Sequence, residues 1–175
     1  MHIEDISRAA ERTVAVYKED DPFRLQSAMG ILLLRTPMGT ADTSCKGFYM
    51  TQSRKQIITI NSDLPEPLQR VVLAHELGHG VLHRGARGMR AFHEFSLFDE
   101  TSKMEYEANL FAAELLLRDE DVLALLNDDI SFFGAAGALS VPPELLDFKF
   151  RVMKRKGCKV TDPPLMAKSC FLKDI

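Results

Sequence analysis

The stretch His75-Glu76-Leu77-Gly78-His79 decides how the rest of this chain is interpreted. In an α-helix, an offset of four residues turns a side chain by about 40° and raises it by about 6 Å, so His75 and His79 can bind one ion. Glu76 flanks the same face, where it can reach a water molecule without being a ligand. The pattern matches the zinc-binding helix of metalloproteases, and its alternative is a coincidence on an ordinary core helix.

Apolar residues around this motif predict that its helix is buried. Buried polar side chains need partners or a metal, because leaving them unpaired costs free energy. Upstream, residues 61–67 supply cap candidates and prolines suited to a first turn, and Arg84-Gly85 follows as a stop signal. Gly78 inside the helix costs about 1 kcal/mol relative to alanine, which a close neighbouring backbone or packing at the metal site would explain. The apolar residues are Val71, Val72, Leu73, Leu77, Val81 and Leu82.

Two histidines do not complete a zinc site, which usually takes three protein ligands and leaves a fourth position for water. His83 lies one more turn along the same face, but about 12 Å of rise from His75, so one ion is not expected to bind all three. We interpret His83 as lining the cleft or as a satisfied histidine at the helix end. The third ligand is therefore expected on another element.

An acidic helix predicted over residues 102–117 is the better source of the third ligand. Glu107 sits about 40° from Phe111, which belongs to the apolar stripe of this helix, whereas Glu105 sits about 120° from Phe111. Glu105 also stands three residues after Ser102, which makes a capping box. We therefore predict that Glu107 is the ligand, with Glu105 and Glu114 as alternatives; Glu114 could also orient a histidine or be solvated. The stripe consists of Met104, Ala108, Phe111 and Leu115.

These two motifs resemble those of the ImmA/IrrE family of bacterial zinc metallopeptidases, found often on prophages and integrative elements. The resemblance rests on His75-Glu-Leu-Gly-His79 and on Glu105-Tyr-Glu107-Ala-Asn-Leu-Phe-Ala-Ala-Glu-Leu-Leu. It implies that His75, His79 and Glu107 bind zinc and that Glu76 is the general base. The resemblance extends over roughly residues 10 to 157, and Arg118 departs from it where the family often has a proline.

The resemblance implies zinc-dependent hydrolysis of peptide bonds in a protein substrate. Zinc would polarise the carbonyl and acidify water, while Glu76 accepts the proton and delivers it to the leaving amine. The family further suggests that the substrate is a helix-turn-helix transcriptional repressor of a mobile element or stress response. The competing hypothesis is a non-enzymatic regulator that binds a repressor or DNA around a structural zinc. An intact Glu76 favours the enzyme, because a structural site needs no general base.

Composition agrees with one globular domain. A chain of 175 residues with 46% hydrophobic content can bury one core, so we expect a single domain over residues 1–157 and a tail over 158–175. The net charge of −3 gives no signal for nucleic acid or an anionic membrane. We expect a cytoplasmic protein, because neither a signal peptide nor a long apolar run is present. Reduced thiols are expected at Cys45, Cys158 and Cys170.

The expected fold is α+β and zincin-like, with a small antiparallel sheet on a mainly helical body that carries the HExxH helix. A helix is predicted over residues 3 to 18 and another from Pro22 to Gly30. Short β-prone runs follow at residues 31–35, 47–51 and 56–60, the last two joined by a polar turn. An extended substrate can pair with a free strand edge beside the zinc, and the resemblance favours the strand just before the metal helix as that edge.

The C-terminal part, residues 118–157, is predicted to be helical. Helices are expected over residues 119–126, 131–139 and 142–156, and the last two can be interpreted as a helix-turn-helix motif. Basic residues near the end of the last helix are more simply explained by the helix dipole and solvation, so nucleic acid is not the expected partner. The tail has no clear period and is predicted to be poorly ordered. These basic residues are Lys149, Arg151, Lys154, Arg155 and Lys156.

The segment between the two predicted metal helices, residues 84–101, is interpreted as a loop bordering the cleft. Its phenylalanines could bind substrate side chains or pack as a small cluster under the loop. His93 is a weak candidate for stabilising the oxyanion of the transition state, so that role is left unassigned. The phenylalanines are Phe92, Phe95 and Phe98.

Overall fold

Helices and a small sheet alternate along the chain in the order that the sequence predicts. The computed structural model describes residues 1–41, 43–83, 99–127 and 130–173. Within these ranges the α+β class is confirmed, because the chain forms seven α-helices and one three-stranded sheet. The elements are α1 Ile3–Tyr17, α2 Pro22–Ala28, β1 Leu32–Thr36, β2 Gly47–Gln52, β3 Lys55–Asn61, α3 Glu66–Leu82, α4 Asp99–Leu116, α5 Asp119–Asn127, α6 Phe132–Ala138 and α7 Pro143–Arg155, followed by a 3-10 turn over Phe171–Lys173.

The sheet is mixed rather than wholly antiparallel, and its strand order is β1-β3-β2. Strands β2 and β3 form the expected hairpin, in which Ser53 and Arg54 adopt the left-handed conformation of a tight two-residue turn. Strand β1 instead pairs with β3 in parallel. The strand just before the metal helix is therefore central, and the expectation that it forms the free edge is wrong. The edges are β1 and β2.

Buried Asn61 holds residues on both sides of the connection between β1 and β2 at the end of β3. Residues 37–41 follow β1, and residues 43–46 lead into β2. The Asn61 amide donates to the carbonyls of Gly39 at 2.7 Å and Cys45 at 3.1 Å, and its Oδ1 accepts from the backbone N–H of Met38. A residue that the sequence offered as a helix cap thus anchors both sides of this connection.

Helices α3 and α4 approach each other most closely at Gly78. A Cβ atom at Gly78 would lie 3.1 Å from the Cα of Ala108, 3.2 Å from its carbonyl oxygen and 3.2 Å from the Cβ of Phe111. These neighbours are backbone atoms of α4 and a Cβ atom, so no change of side-chain rotamer can move them away. The prediction that a close backbone explains this glycine is confirmed. The contact brings the acidic residues of α4 against the histidines of α3.

Gly78→Ala is expected to destabilise the protein by about 1–2 kcal/mol, because forcing the two helices apart outweighs the gain of about 1 kcal/mol in helix propensity. Gly137 in α6 is the matched control, since a Cβ there has no neighbour within 4 Å. Gly137→Ala should therefore be neutral or stabilising. Urea unfolding of both variants measures the difference, and equal midpoints would contradict close packing at Gly78.

Most of the basic residues of α7 form ion pairs with carboxylates of the same chain. Lys149 is 1% exposed and lies 2.5 Å from both Glu114 and Asp119. Arg151 pairs with Asp147, Lys154 with Asp162, and Lys156 with Glu114 and Asp119, so four of the five cations form internal ion pairs. A recognition helix would instead direct such cations at phosphates and bases. The contacts therefore favour a structural role for this helix.

Within the described part of the C-terminal tail, residues 167–171 pack against α7, so for this stretch the prediction of poor order is wrong. Ala167 and Phe171 are 7% and 2% exposed and belong to the core. The Phe171 ring lies 5.7 Å from that of Phe148, and the backbone N–H of Ala167 donates to Asp147 at 3.0 Å. Sequence periodicity could not reveal this packing, because isolated anchors in an irregular segment have no period.

Candidate metal centre

The three polar residues of the HExxH motif on α3 are all buried. His75, Glu76 and His79 are 4%, 6% and 1% exposed, although each carries a polar group that needs a partner. The two Nε2 atoms of His75 and His79 lie 3.1 Å apart, as the four-residue offset requires for a shared ligand site. The structure thus brings the two predicted histidines together, with Glu76 between them on the same helix.

The third group at this point is Glu105 of α4. Its Oε2 lies 3.1 Å from Nε2 of His75, and its Oε1 lies 3.4 Å from Nε2 of His79. His75, His79 and Glu105 form a cluster of ligand atoms that can hold a metal ion. Tetrahedral zinc with bonds of about 2.0–2.1 Å separates its ligand atoms by about 3.3 Å. The chemistry and the spacing of these three groups therefore fit a zinc ion.

Glu107 does not join this cluster, contrary to its prediction as the third ligand. Its Oε2 lies 3.0 Å from Nε2 of His83, and the amino group of Met1 also contacts its carboxylate. Two residues along a helix turn a side chain by about 200°, so Glu105 and Glu107 cannot serve the same point from one helix. Helix α4 also begins at Asp99, so Ser102 lies inside the helix and cannot be the cap that assigned Glu105 to a capping box.

Both metal-centre histidines have partners on their second ring nitrogens. Nδ1 of His75 donates to Oδ1 of Asn109 at 2.8 Å, because a carbonyl oxygen can only accept. Nδ1 of His79 lies 3.1 Å from Nδ1 of His83, whose Nε2 faces Glu107. Such partners fix the ring orientation and point each Nε2 at the position a metal would take. His83 is thus a satisfied helix-end histidine, one of the two roles that the sequence favoured.

Asn109 is the site residue that sequence reasoning missed. It is fully buried and follows Glu105 by four residues, so both side chains point at His75 from one face of α4. The available signal was this polar pair at i and i+4 on a largely apolar helix, which repeats the spacing of His75 and His79. This spacing is hard to recognise in the sequence, because residues 107–113 of α4 are all buried and apolar residues therefore occur on every face of the helix.

Glu76 is buried beside the cluster, and its pKa is shifted towards neutrality. Burial raises its pKa to about 7, and the negative charge of Glu105 acts in the same direction. The charge of His75 and a hydrogen bond donated by the backbone N–H of Tyr49 oppose the rise in this pKa. A carboxylate with a pKa near neutrality can both accept and return a proton. The Tyr49 contact also places the outer edge of β2 beside Glu76.

The surroundings of the three clustered groups shift their pKa values in different directions. Burial lowers the pKa of His79 to about 4 despite the nearby Glu105. Burial would also lower the pKa of His75, but the hydrogen bond and charge of Glu105 outweigh it and raise this pKa. For Glu105, burial acts upward, but hydrogen bonds from both histidines lower its pKa well below the usual range. Glu105 is therefore ionised and His79 neutral at pH 7, as ligation requires.

Glu76→Gln is expected to stabilise the metal-free protein at high pH. Because the folded-state pKa of Glu76 is raised from 4.5 to about 7, its stability contribution is present below 4.5 and is lost as pH rises through about 7. The loss corresponds to about 3 kcal/mol at most. Urea unfolding of metal-free protein at pH 8 should favour the variant, and at pH 4.5 the two should match. Glu66→Gln, at an exposed position of α3, is the control; the same pH response in both variants would contradict the burial effect.

Several sequence-based candidates lie outside the described residues. Residues 84–98 include Phe92, His93, Phe95 and Phe98, so the proposed roles of this segment in the cleft stay predictions. Along the described ranges, no helix is long and apolar enough to cross a membrane.

Comparisons with known proteins cover the same part of the chain. A peptidase family model described as the IrrE N-terminal-like domain matches residues 26–151. The chain is 33% identical over 144 residues to "Uncharacterized immunity region protein 2" of Bacillus phage phi105, which covers 82% of this chain and 88% of that protein. It is 25% identical over 150 residues to "Metallopeptidase ImmA" of Bacillus subtilis (strain 168), which covers 82% of this chain and 83% of the relative. The motif on α3 and residues 105–109 lie inside the matched range.

Proposed function

The chain belongs to the family of metallopeptidases with an IrrE N-terminal-like domain, and on this premise we propose that it is a zinc-dependent endopeptidase. The observation that carries the proposal is the convergence of His75, His79 and Glu105 beside the buried carboxyl of Glu76. Two imidazoles and a carboxylate are the ligand set of catalytic zinc sites that keep one position open. A carboxyl outside this set but next to it is the group that peptide hydrolysis requires.

The reaction assigned to this site is hydrolysis of a peptide bond. Zinc, when bound, would polarise the scissile carbonyl and make water more acidic. Glu76 removes a proton from the attacking water and passes it to the nitrogen of the leaving amine, so the carboxylate is regenerated in each turnover. The hydrogen bond from Tyr49 holds the Glu76 carboxylate in place during this exchange. Asn109 and His83 keep the rings of His75 and His79 oriented.

The outer edge of β2 is the proposed binding place for an extended substrate segment. This strand lies at the edge of the sheet, and the backbone N–H of Tyr49 on that edge already points at Glu76. A peptide that adds to a sheet edge forms main-chain hydrogen bonds, and these depend little on the sequence of the peptide. Pairing along β2 would bring its scissile bond to the metal centre, so β2 replaces β3 in the sequence-based proposal.

The proposed substrate is a transcriptional repressor with a helix-turn-helix fold. The family resemblance implies it, and the similarity to a phage protein named for an immunity region supports it. A repressor acts on DNA in the cytoplasm, so the enzyme would act there too. Internal ion pairs on α7 leave little free positive charge for DNA, which favours a protein partner over nucleic acid.

The test is to incubate the purified protein with helix-turn-helix repressors from phages and integrative elements and to identify new peptide termini by mass spectrometry. We expect a defined internal cleavage that disappears when a chelator removes the metal and returns when zinc is added. Cleavage that persists without metal would contradict the mechanism. Zinc-dependent cleavage of other proteins, with every repressor intact, would contradict the substrate class alone.

A further inference from the structure

The segment of residues 165–171, which we call the strap, reaches the metal centre through one buried side chain. Asn109 is fully buried, and its Nδ2 donates to the backbone carbonyl of Ser169 at 2.6 Å. Its Oδ1 accepts from Nδ1 of His75 at 2.8 Å. A single amide thus connects a metal-centre histidine with a segment that lies outside the matched family range of 26–151.

Three contacts hold the strap against α7. The backbone N–H of Ala167 donates to Asp147 at 3.0 Å, and its carbonyl accepts from Arg151 at 2.8 Å. Phe171 is 2% exposed and packs its ring on Phe148. These anchors lie on either side of Ser169, so they fix the position of its carbonyl.

The Ser169 carbonyl decides which way the Asn109 amide faces. A carbonyl accepts only from the Nδ2 end, so Oδ1 is left to face His75. Without this acceptor the amide can turn by 180° and present Nδ2 to the ring. Nδ1 of His75 must carry the ring proton when Nε2 binds a metal, and it would then face a donor instead of an acceptor. The strap contact therefore favours the state of the ring in which Nε2 binds a metal.

We propose that the strap is a positioning element of the metal centre: it holds the Asn109 amide so that the Nδ1–H of His75 has an acceptor when Nε2 binds zinc. The inference rests on the proposed function in requiring a metal at His75. It makes Asn109 and the Ser169 carbonyl positioning groups, and it gives the tail a role that the family domain alone does not contain. Zinc affinity should therefore depend on whether the strap is docked.

The test measures zinc affinity by competition with a chromophoric chelator, and strap docking by hydrogen exchange at the amides of Ala167 and residue 171, the second of which Ala167→Pro also keeps. Phe171→Ala removes the anchor on Phe148 and should lower zinc affinity about 10-fold, the lower end of the range for outer partners of a ligand. Ala167→Pro removes the hydrogen bond to Asp147 and should act alike. Met166→Ala, at a position that is 88% exposed in the strap, should change neither quantity.

The Asn109→Asp variant distinguishes an effect of the strap on the Asn109 amide from a general effect of strap mutations on protein stability. Either carboxylate oxygen can accept from His75, so the side chain no longer needs the strap to orient it. We expect zinc affinity in this background to be insensitive to Phe171→Ala, whereas the same change lowers it in the unaltered protein. Asn109→Ala, which removes the acceptor, should lower zinc affinity by about 10–100-fold.

Two results would overturn the inference. One is an equal loss of zinc affinity when Phe171→Ala is made in the unaltered protein and in the Asn109→Asp variant, since independent effects would then add. The other is an undocked strap with unchanged zinc affinity. Undocking would be seen as fast hydrogen exchange of the strap amides in Phe171→Ala or in Ala167→Pro. Either result with cleavage intact refutes the strap alone. Zinc binding that follows the strap without any peptidase activity would refute the proposed function alone.

Discussion

Glu105→Gln is expected to lower zinc affinity by more than about 100-fold, whereas Glu107→Gln should leave it within about 10-fold of the unaltered protein. A carboxylate oxygen of Glu105 lies close to Nε2 of each of the two histidines, so its replacement would remove the charged group of the proposed ligand set. Glu107 meets His83, which in turn contacts His79, so it acts two contacts away from the metal position. An amide oxygen at position 107 can still accept from His83. Titration of metal-free protein with zinc against a competing chelator measures both constants.

The pair of variants is internally controlled. Glu105 and Glu107 lie on the same helix and carry the same substitution, so a general loss of stability should affect both. Circular dichroism and urea unfolding of the metal-free forms check that each variant folds. A loss of zinc binding in Glu107→Gln, with Glu105→Gln unaffected, would restore the prediction made from the apolar stripe and contradict the ligand set proposed from the structure.

Glu76→Gln is expected to lower kcat for peptide hydrolysis by about 10²–10⁴-fold while zinc affinity stays nearly unchanged. The amide keeps the size of the side chain, but it cannot accept the proton from water. Glu76 is not one of the three groups that meet at the metal position, so zinc should remain bound. Kinetics on a fluorogenic peptide spanning a mapped cleavage site, together with metal analysis of the same sample, measure both properties.

The same variant separates an enzyme from a regulator that binds its partner around a structural zinc. A sequestering protein would inactivate a repressor equally well with glutamine at position 76, because binding needs no general base. We expect Glu76→Gln to bind the repressor and to leave it intact. Repressor inactivation that survives the substitution, with zinc still bound, would contradict the peptidase mechanism. Glu66→Gln provides the matched control on the exposed part of the same helix.

The sequence predicted the elements that local patterns encode. The α+β, zincin-like fold is confirmed, and so are the helix that carries His75 and His79 and the hairpin of β2 and β3. Periodicity and turn residues specify these features within short stretches of chain. The parallel pairing of β1 with β3 instead joins residues more than twenty positions apart, as do the hydrogen bonds of Asn61 to Met38 and Gly39. No local pattern contains that information.

The third carboxylate could not be chosen from helix phase alone. The apolar stripe predicted which face of α4 is buried and therefore which glutamate faces the histidines. Residues 107 to 113 are buried on every side of the helix, so the stripe does not identify that face. The start of the helix at Asp99 also removes the capping box that had assigned a different role to Glu105. The position of Glu105 is fixed by the close contact of Gly78 with Ala108, because that contact sets the rotation of α4 against α3. The tail was missed for a similar reason, since its anchors bind partners on α7.

The central claim is that His75, His79 and Glu105 together bind a catalytic zinc. The most direct measurement is a crystal structure of the zinc-loaded protein, with anomalous diffraction recorded on both sides of the zinc absorption edge. The account predicts one zinc peak about 2.0–2.2 Å from Nε2 of His75, Nε2 of His79 and a carboxylate oxygen of Glu105. A zinc ion bound by Glu107 or His83 in place of Glu105, or no peak between the two histidines, would contradict it.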